Sequence, residues 1–400
     1  MRPAAADVRR LDPLRASGHV PVLDGIRGLA ILMVMALHFL GEAAVAAAPE
    51  HRFVRIAVYG GYGVDLFFVL SGFLITGILC DTRGSARYFR DFYARRALRI
   101  FPLYYGTLVL MLLVVPALPA FHSDALDSVR RQQAWLWLYG INFLQAREGD
   151  WLPYVSHFWS LAVEEHFYLV WPLAVWFLTP RRLLALSAGL VVLSTIARVL
   201  LAWGGVNDIA VHVLTFTRLD GLGTGAFLAV YAREHAEPLV PLRRAGRCLA
   251  AAGAAGVVAL VALSTLMDAP APAVLTARRT FFVLLLAALI PLGLTGDTRS
   301  PLRAVLSGRV LRFFGKYSYG LYVFHAIIAD CMLRHDTLAA LARLAPDIAA
   351  AVLVQAAIGT TLSVAIAVAS YEWYERRFLA LKERFRSGPV LTPAAPDPAR

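Results

Sequence analysis

The sequence predicts an all-α fold: a polytopic integral membrane bundle of about ten transmembrane helices with both termini in the cytoplasm. Three observations carry this. Hydrophobic residues make up 59% of the 400-residue chain and charged residues only 16%, against roughly a quarter charged in soluble domains. Apolar runs of about 20 residues, each long enough to cross the hydrocarbon, recur along the whole length. Successive loops also alternate between rich and poor in arginine, as the positive-inside rule requires.

The runs expected to span cover residues 25–42, 61–80, 98–117, 157–178, 183–203, 209–231, 248–267, 278–296, 317–334 and 349–374. A further run, "WLWLYGINFL" at 135–144, is too short to cross and reads as re-entrant or interfacial. With the N-terminus inside, 27 Lys and Arg fall on cytoplasmic segments and nine on outer ones. The net charge of +12 is therefore a topology signal, and no nucleic acid is needed to explain it. Residues 1–20 read as a cytoplasmic segment, 21–380 as the transmembrane domain and 381–400, with "GPVLTPAAPDPAR", as a disordered cytoplasmic tail. Cys80, Cys248 and Cys331 show no metal-ligand spacing and imply neither a disulfide framework nor a metal site.

Polar residues inside the spans carry the functional signal. The first span, "LDGIRGLAILMVMALHF", holds Arg27 and His38 eleven residues apart. That is three turns plus about 20°, so both project from one face, roughly 16 Å apart along the axis. Span two places Asp65 and Ser71 among glycines and aromatics, with Asp65 either capping its helix or lining the same cavity as His38. Arg95, Arg96 and Arg99 cluster where the chain re-enters the membrane. They are either ordinary topology determinants or a phosphate site, since guanidinium suits bidentate phosphate binding.

Span four, "HFWSLAVEEHFYLVWPL", sets Ser160, Glu164 and Tyr168 at i, i+4 and i+8, a single polar stripe. Glu165 and His166 turn to neighbouring faces. In span six, Arg218 and Asp220 are two apart and would not face each other on a regular helix. Gly221, Gly223 and Gly225 suggest local unwinding or close helix approach there. Span nine puts Ser318, Tyr322 and His325 on one face, for chemistry or for hydrogen bonding between helices. Span ten ends with Tyr371 and Glu375 one turn apart. Left unpaired, Arg27, Asp65, Glu164, Glu165, Arg218 and Asp220 would cost on the order of 15–20 kcal/mol, more than most folds have as net stability. These groups must meet in a polar, partly hydrated interior.

"LDGIRGLAILMVMALHF", "GVDLFFVLSGFLIT", "FYARRALRIFPLYY", "FWSLAVEEHFYLVWPL", "RLDGLGTGAFLA" and "YSYGLYVFH" follow one another in an order that resembles the membrane-bound acyltransferase-3 family. The likeness runs from about residue 21 to 380. One departure lies at the end, where the family often shows a proline two residues after the last glutamate and this chain has Arg377. The resemblance implies an O-acyltransferase of the cytoplasmic (inner) membrane that modifies carbohydrates and other hydroxylated molecules. It implies acyl-CoA, by preference acetyl-CoA, as donor substrate and no permanently bound cofactor. Arg27, Arg95, Arg96 and Arg99 would bind the donor phosphates. His38 would be the general base or a transient acyl carrier, with Glu164 or Glu165 orienting it. Asp65, Ser71, Ser160, Tyr168, Arg218, Asp220, Tyr322, His325 and Glu375 would line the substrate path. The acceptor is expected to be a carbohydrate or glycolipid, with a macrolide or other secondary metabolite as the alternative. A proton-coupled transporter or flippase is the rival class, because it too needs intramembrane carboxylates and a broken span. Such a carrier is expected to show pseudo-symmetric halves, and the sequence shows none.

Overall fold

The computed structural model describes residues 20–45, 48–118, 123–266, 272–297 and 299–385. The N-terminal segment, the tail from residue 386, and their basic residues lie outside these. Among the described residues every regular element is helical. The long helices, in chain order, are α1 (Pro21–Glu42), α2 (Arg52–Thr82), α3 (Tyr88–Ala117), α4 (Phe158–Phe177) and α5 (Pro180–Trp203). They continue with α6 (Leu219–Arg233), α7 (Leu239–Thr265), α8 (Thr276–Thr295), α9 (Ser318–Arg334) and α10 (Ile348–Phe385). Seven of them, all but α4, α6 and α9, are long and apolar enough to cross a membrane. The other three correspond to expected spans that are short or rich in polar residues: α6 has 15 residues, α9 has 17, and α4 carries two glutamates.

The expected continuous span at 209–231 is instead broken. A short helix, Asp208–Val213, gives way to an extended Leu214 and a single 3₁₀ turn before α6 begins. Side chains satisfy the backbone groups that the break frees. Ser194 Oγ donates to the Phe216 carbonyl (2.7 Å), Arg198 donates to that of Thr217, and Asn142 Nδ2 donates to that of Val213 (3.4 Å). An irregular segment at membrane depth survives only when it is buried in protein and satisfied in this way.

The glycines of α6 serve close approach. A Cβ on Gly225 would fall 1.9 Å from the Val69 carbonyl oxygen of α2, and one on Gly72 would fall 2.1 Å from that of Leu222. The two backbones therefore touch, which fixes Asp65 of α2 beside the start of α6. Arg233 then locks the far ends of this pair through a bidentate contact with Asp81 (2.7 Å each). At the start of α1, Gly315 lets the basic helix Arg309–Lys316 lie against the Asp24 backbone.

The short run at 135–144 forms parts of two helices, Gln133–Trp137 and Ile141–Glu148, hinged at Tyr139 with φ 55°. Tyr104 and Tyr105 of α3 donate to the carbonyls of Leu136 (2.7 Å) and Trp137 (3.2 Å), so the hinge is held in the protein. Three helices contain a wide π-helical stretch: Leu37–Glu42 in α1, Leu110–Val114 in α3 and Tyr371–Glu375 in α10. The first contains His38, as its second residue.

Candidate active site

Among the described residues, two neighbouring chambers gather most of the polar side chains of the spans. A narrow one of about 120 Å³ is lined by Arg27, Ser71, Arg96, Arg99, Ser160, Glu164, Tyr168 and Ser318 among others. A wide one of about 1230 Å³ is lined by His38, His157, His212, Arg278 and Arg279 among others. Val64 and Tyr322 line both, so they form the wall between them. The sequence placed Arg27 and His38 on one cavity. The structure puts them about three turns apart on α1, in different chambers, with Val64 and Tyr322 between.

The narrow chamber is cationic at its mouth. Arg27 donates to Asp24 (2.7 Å), while Arg96 and Arg99, one turn apart on α3, make no hydrogen bond or close ion pair among the described residues. Arg95 does not line the chamber. Lys382, in a helical turn at the end of α10, lies close to the same arginines. Deeper in, the Ser71 and Tyr168 hydroxyls bond each other, and the Glu164 carboxylate lines the same space. The predicted stripe of Ser160, Glu164 and Tyr168 therefore faces one space. Glu165 does not line it; its Oε1 is buried without a hydrogen-bond partner among the described residues. At the dividing wall, Tyr322 bonds Ser160 and donates to the His157 carbonyl (3.0 Å).

The wide chamber is built on histidines. His38 Nδ1 lies 2.8 Å from the Val34 carbonyl, which can only accept, so Nδ1 carries a proton and, in the neutral ring, Nε2 has the lone pair. His325 is oriented alike by Leu321 O (2.9 Å), and its buried Nε2 has no partner among the described residues. The two rings meet edge to face, 4.9 Å between centroids. His157 donates from Nε2 to Val323 O (3.1 Å), and its ring centroid lies 5.7 Å from that of His325. Neither Glu164 nor Glu165 is placed to orient His38: Glu164 lines the other chamber, and the nearest carboxylate to His38 Nε2 is Glu42, at 3.8 Å.

Asp65, Arg218 and Asp220 line neither chamber. They form a buried network behind the wide one. Asp65 takes Arg218 on Oδ1 (2.9 Å) and Arg279 on Oδ2 (2.8 Å), and Asp220 takes Arg198 (2.8 Å). As the spacing required, Arg218 and Asp220 do not pair with each other. Glu375 stands apart from both chambers and accepts from Ser370 (3.1 Å). The sequence reading missed Arg198 and Arg279. Arg198 sits in mid-span within "STIARVLLAW", where the same cost argument applies; Arg279 passed as a loop residue at the edge of span eight.

Comparison with known proteins agrees with this architecture. Residues 20–372 match the acyltransferase domain family. Over 323 residues the chain is 30% identical to the peptidoglycan O-acetyltransferase OatA of Listeria monocytogenes, covering 77% of this chain and 49% of that protein. The putative peptidoglycan O-acetyltransferase YrhL of Bacillus subtilis is also 30% identical over 321 residues, 77% of this chain and 48% of its own length. The O-acetyltransferase OatA of Staphylococcus aureus is 25% identical over 337 residues, 80% of this chain and 52% of its own. The chain thus spans about half the length of the curated relatives it matches. No solved structure matches it. A polytopic helical bundle matched over nearly its whole length, the chain belongs to the membrane-bound acyltransferase-3 family.

Proposed function

We propose that the protein is an integral membrane O-acetyltransferase that moves an acetyl group from cytoplasmic acetyl-CoA to a hydroxyl of a carbohydrate acceptor in the cell envelope. The observation that carries this reading is the passage of α1 from a chamber lined by Arg27, Arg96 and Arg99 to one lined by histidines, with Tyr322 on both. A narrow space of about 120 Å³ is below the roughly 300–1,000 Å³ of small-molecule sites, so it suits the thioester arm and not the nucleotide. The nucleotide phosphates stay at the mouth, against Arg96, Arg99, Arg27 and the nearby Lys382.

The acceptor enters the wide chamber. In the neutral ring, with Nδ1 bonded to the Val34 carbonyl, His38 Nε2 takes the hydroxyl proton as the oxygen attacks the thioester carbonyl. Collapse of the tetrahedral intermediate breaks the C–S bond. The proton returns from His38 to the departing thiolate, giving free CoA and the acetyl ester. Release of Tyr322 from Ser160 joins the two chambers for this step. The relatives' names support a peptidoglycan-like carbohydrate and an acetyl group. Acetyl-CoA labelled in the acetyl group, given to inside-out vesicles with envelope glycan on the other side, tests the reading. Label joined covalently to the glycan supports it. Transport of label without covalent transfer places the protein among carriers instead.

A further inference from the structure

The walls of the wide chamber carry more positive charge than the chemistry proposed above uses. Behind the wall, three guanidinium groups (Arg198, Arg218, Arg279) share two carboxylates (Asp65, Asp220). Arg279 donates to both oxygens of Asp65 (3.3 and 2.8 Å) and shares Oδ1 with Arg218 (2.9 Å), so three positive charges meet two carboxylates and one lacks a counterpart. Arg279 is the member of this network that reaches the chamber, and it is held rigidly, with its guanidinium also over the Tyr62 ring at 5.4 Å. Beside it, Arg278 faces the same space, and its buried Nε has no partner among the described residues.

Across the chamber, Arg52 and Arg55 stand three apart on one helical face and make no ion pair among the described residues. Of the acids on the wall, Asp330 is neutralised by Arg334 (2.6 Å), which leaves Glu42 near His38. Topology does not account for this. In the ten-span arrangement these four arginines lie on the outer side, where the positive-inside rule keeps arginine scarce. They are four of the nine Lys and Arg assigned to that side, gathered on one cavity. Three others there are paired: Arg130 with Asp127, Arg147 with Glu148 and Arg334 with Asp330.

We infer that the wide chamber contains an oxyanion subsite, formed by Arg278 and Arg279 with Arg52 and Arg55 opposite, and that the acceptor is an anionic carbohydrate held there by a carboxylate or phosphate. Guanidinium forks fixed by packing bind such groups bidentately. Anchoring by the anion presents a neighbouring hydroxyl to His38 and disfavours neutral sugars. This rests on the acetyltransferase reading for the role of the bound sugar, though not for its binding.

Three probes test it on the purified full-length protein: an N-acetylglucosamine tetrasaccharide, the same oligosaccharide with 3-O-lactyl carboxylates on alternate sugars, and a polyprenyl-diphosphate-linked N-acetylglucosamine disaccharide. Calorimetric titration without acetyl-CoA measures binding alone, and labelled acetyl-CoA then measures transfer. At least one anionic probe is expected to bind tenfold or more tightly than the neutral one, and which of them does so identifies carboxylate or phosphate. Arg278→Gln should bring that ratio near one. The exposed rim variant Arg52→Gln, which has little to disturb in folding, should lower it several-fold. Equal binding of all three probes by the unaltered protein, or equal weakening of all three by both variants, overturns the inference. Charge-selective binding without transfer to any probe upholds the subsite and sinks the acetyltransferase reading. Transfer to the neutral probe with no preference does the reverse.

Discussion

The imidazoles of His38 on α1 and His325 on α9 stand edge to face, 4.9 Å apart and 81° between planes. Each places Nδ1 against the carbonyl four residues before it on its own helix, Val34 and Leu321 respectively. Two helices distant in sequence thus present two rings in the same tautomer. One, His38, faces the wide chamber, and the other is fully buried behind it.

His38→Ala is expected to insert and fold normally, since alanine suits a helix and leaves no charge behind. Transfer should fall by about 10²–10⁴, the contribution of a positioned general base. His38→Gln keeps hydrogen bonding and carries no proton, so it should fall as far. Steady-state transfer assays on both variants decide this. A glutamine variant near full activity makes His38 a positioning group.

His325→Phe preserves the edge contact with the His38 ring and removes the buried Nε2. If His325 acts by holding His38, kcat should drop on the order of tenfold while KM for both substrates holds, an effect of geometry at the base alone. A comparable rise in KM would instead place His325 in substrate binding.

Arg96→Gln and Arg99→Gln should act on the donor. Each removes one charge-assisted contact of about 1.5–3 kcal/mol to phosphate, so KM for acetyl-CoA should rise by about tenfold to a hundredfold per residue. Turnover at saturating donor should change little. Unchanged saturation curves in both variants would remove these residues from the donor site.

Asp220→Ala should unfold the protein more easily than any of these. It strands Arg198, which is 1% exposed and bonded to Asp220 at 2.8 Å. Breaking a buried pair from one side costs about 3–5 kcal/mol. Adding Arg198→Met should recover most of the loss. Thermal denaturation in detergent of the single and double variants measures both steps.

Gly225→Val should prevent the contact between α2 and α6, because its Cβ would fall 1.9 Å from the Val69 carbonyl oxygen, a backbone atom that cannot rotate away. Expression and monodispersity after purification should both collapse. Gly189→Ala, in a helix with open space at that position, is the control and should not change either.

Much of this was written in the chain. Composition and run length determined an all-helical membrane bundle, because each apolar run must satisfy its own backbone in lipid. The spacing of Ser160, Glu164 and Tyr168 determined a common face, since helical periodicity is local. The two-residue gap between Arg218 and Asp220 likewise ruled out their pairing. Which residues meet across helices was left to the tertiary structure. Asp65 could be read as a cap or a cavity residue, and only the glycine-mediated contact of α2 with α6 and the approach of α8 bring Arg218 and Arg279 to it. The division of one expected cavity into two depended on the same kind of contact. Val64 of α2 and the hydroxyl pair between Ser160 of α4 and Tyr322 of α9 stand between Arg27 and His38, and neither follows from the periodicity of any single helix. Periodicity sets where a side chain points around its own axis, whereas packing between helices sets what it points at.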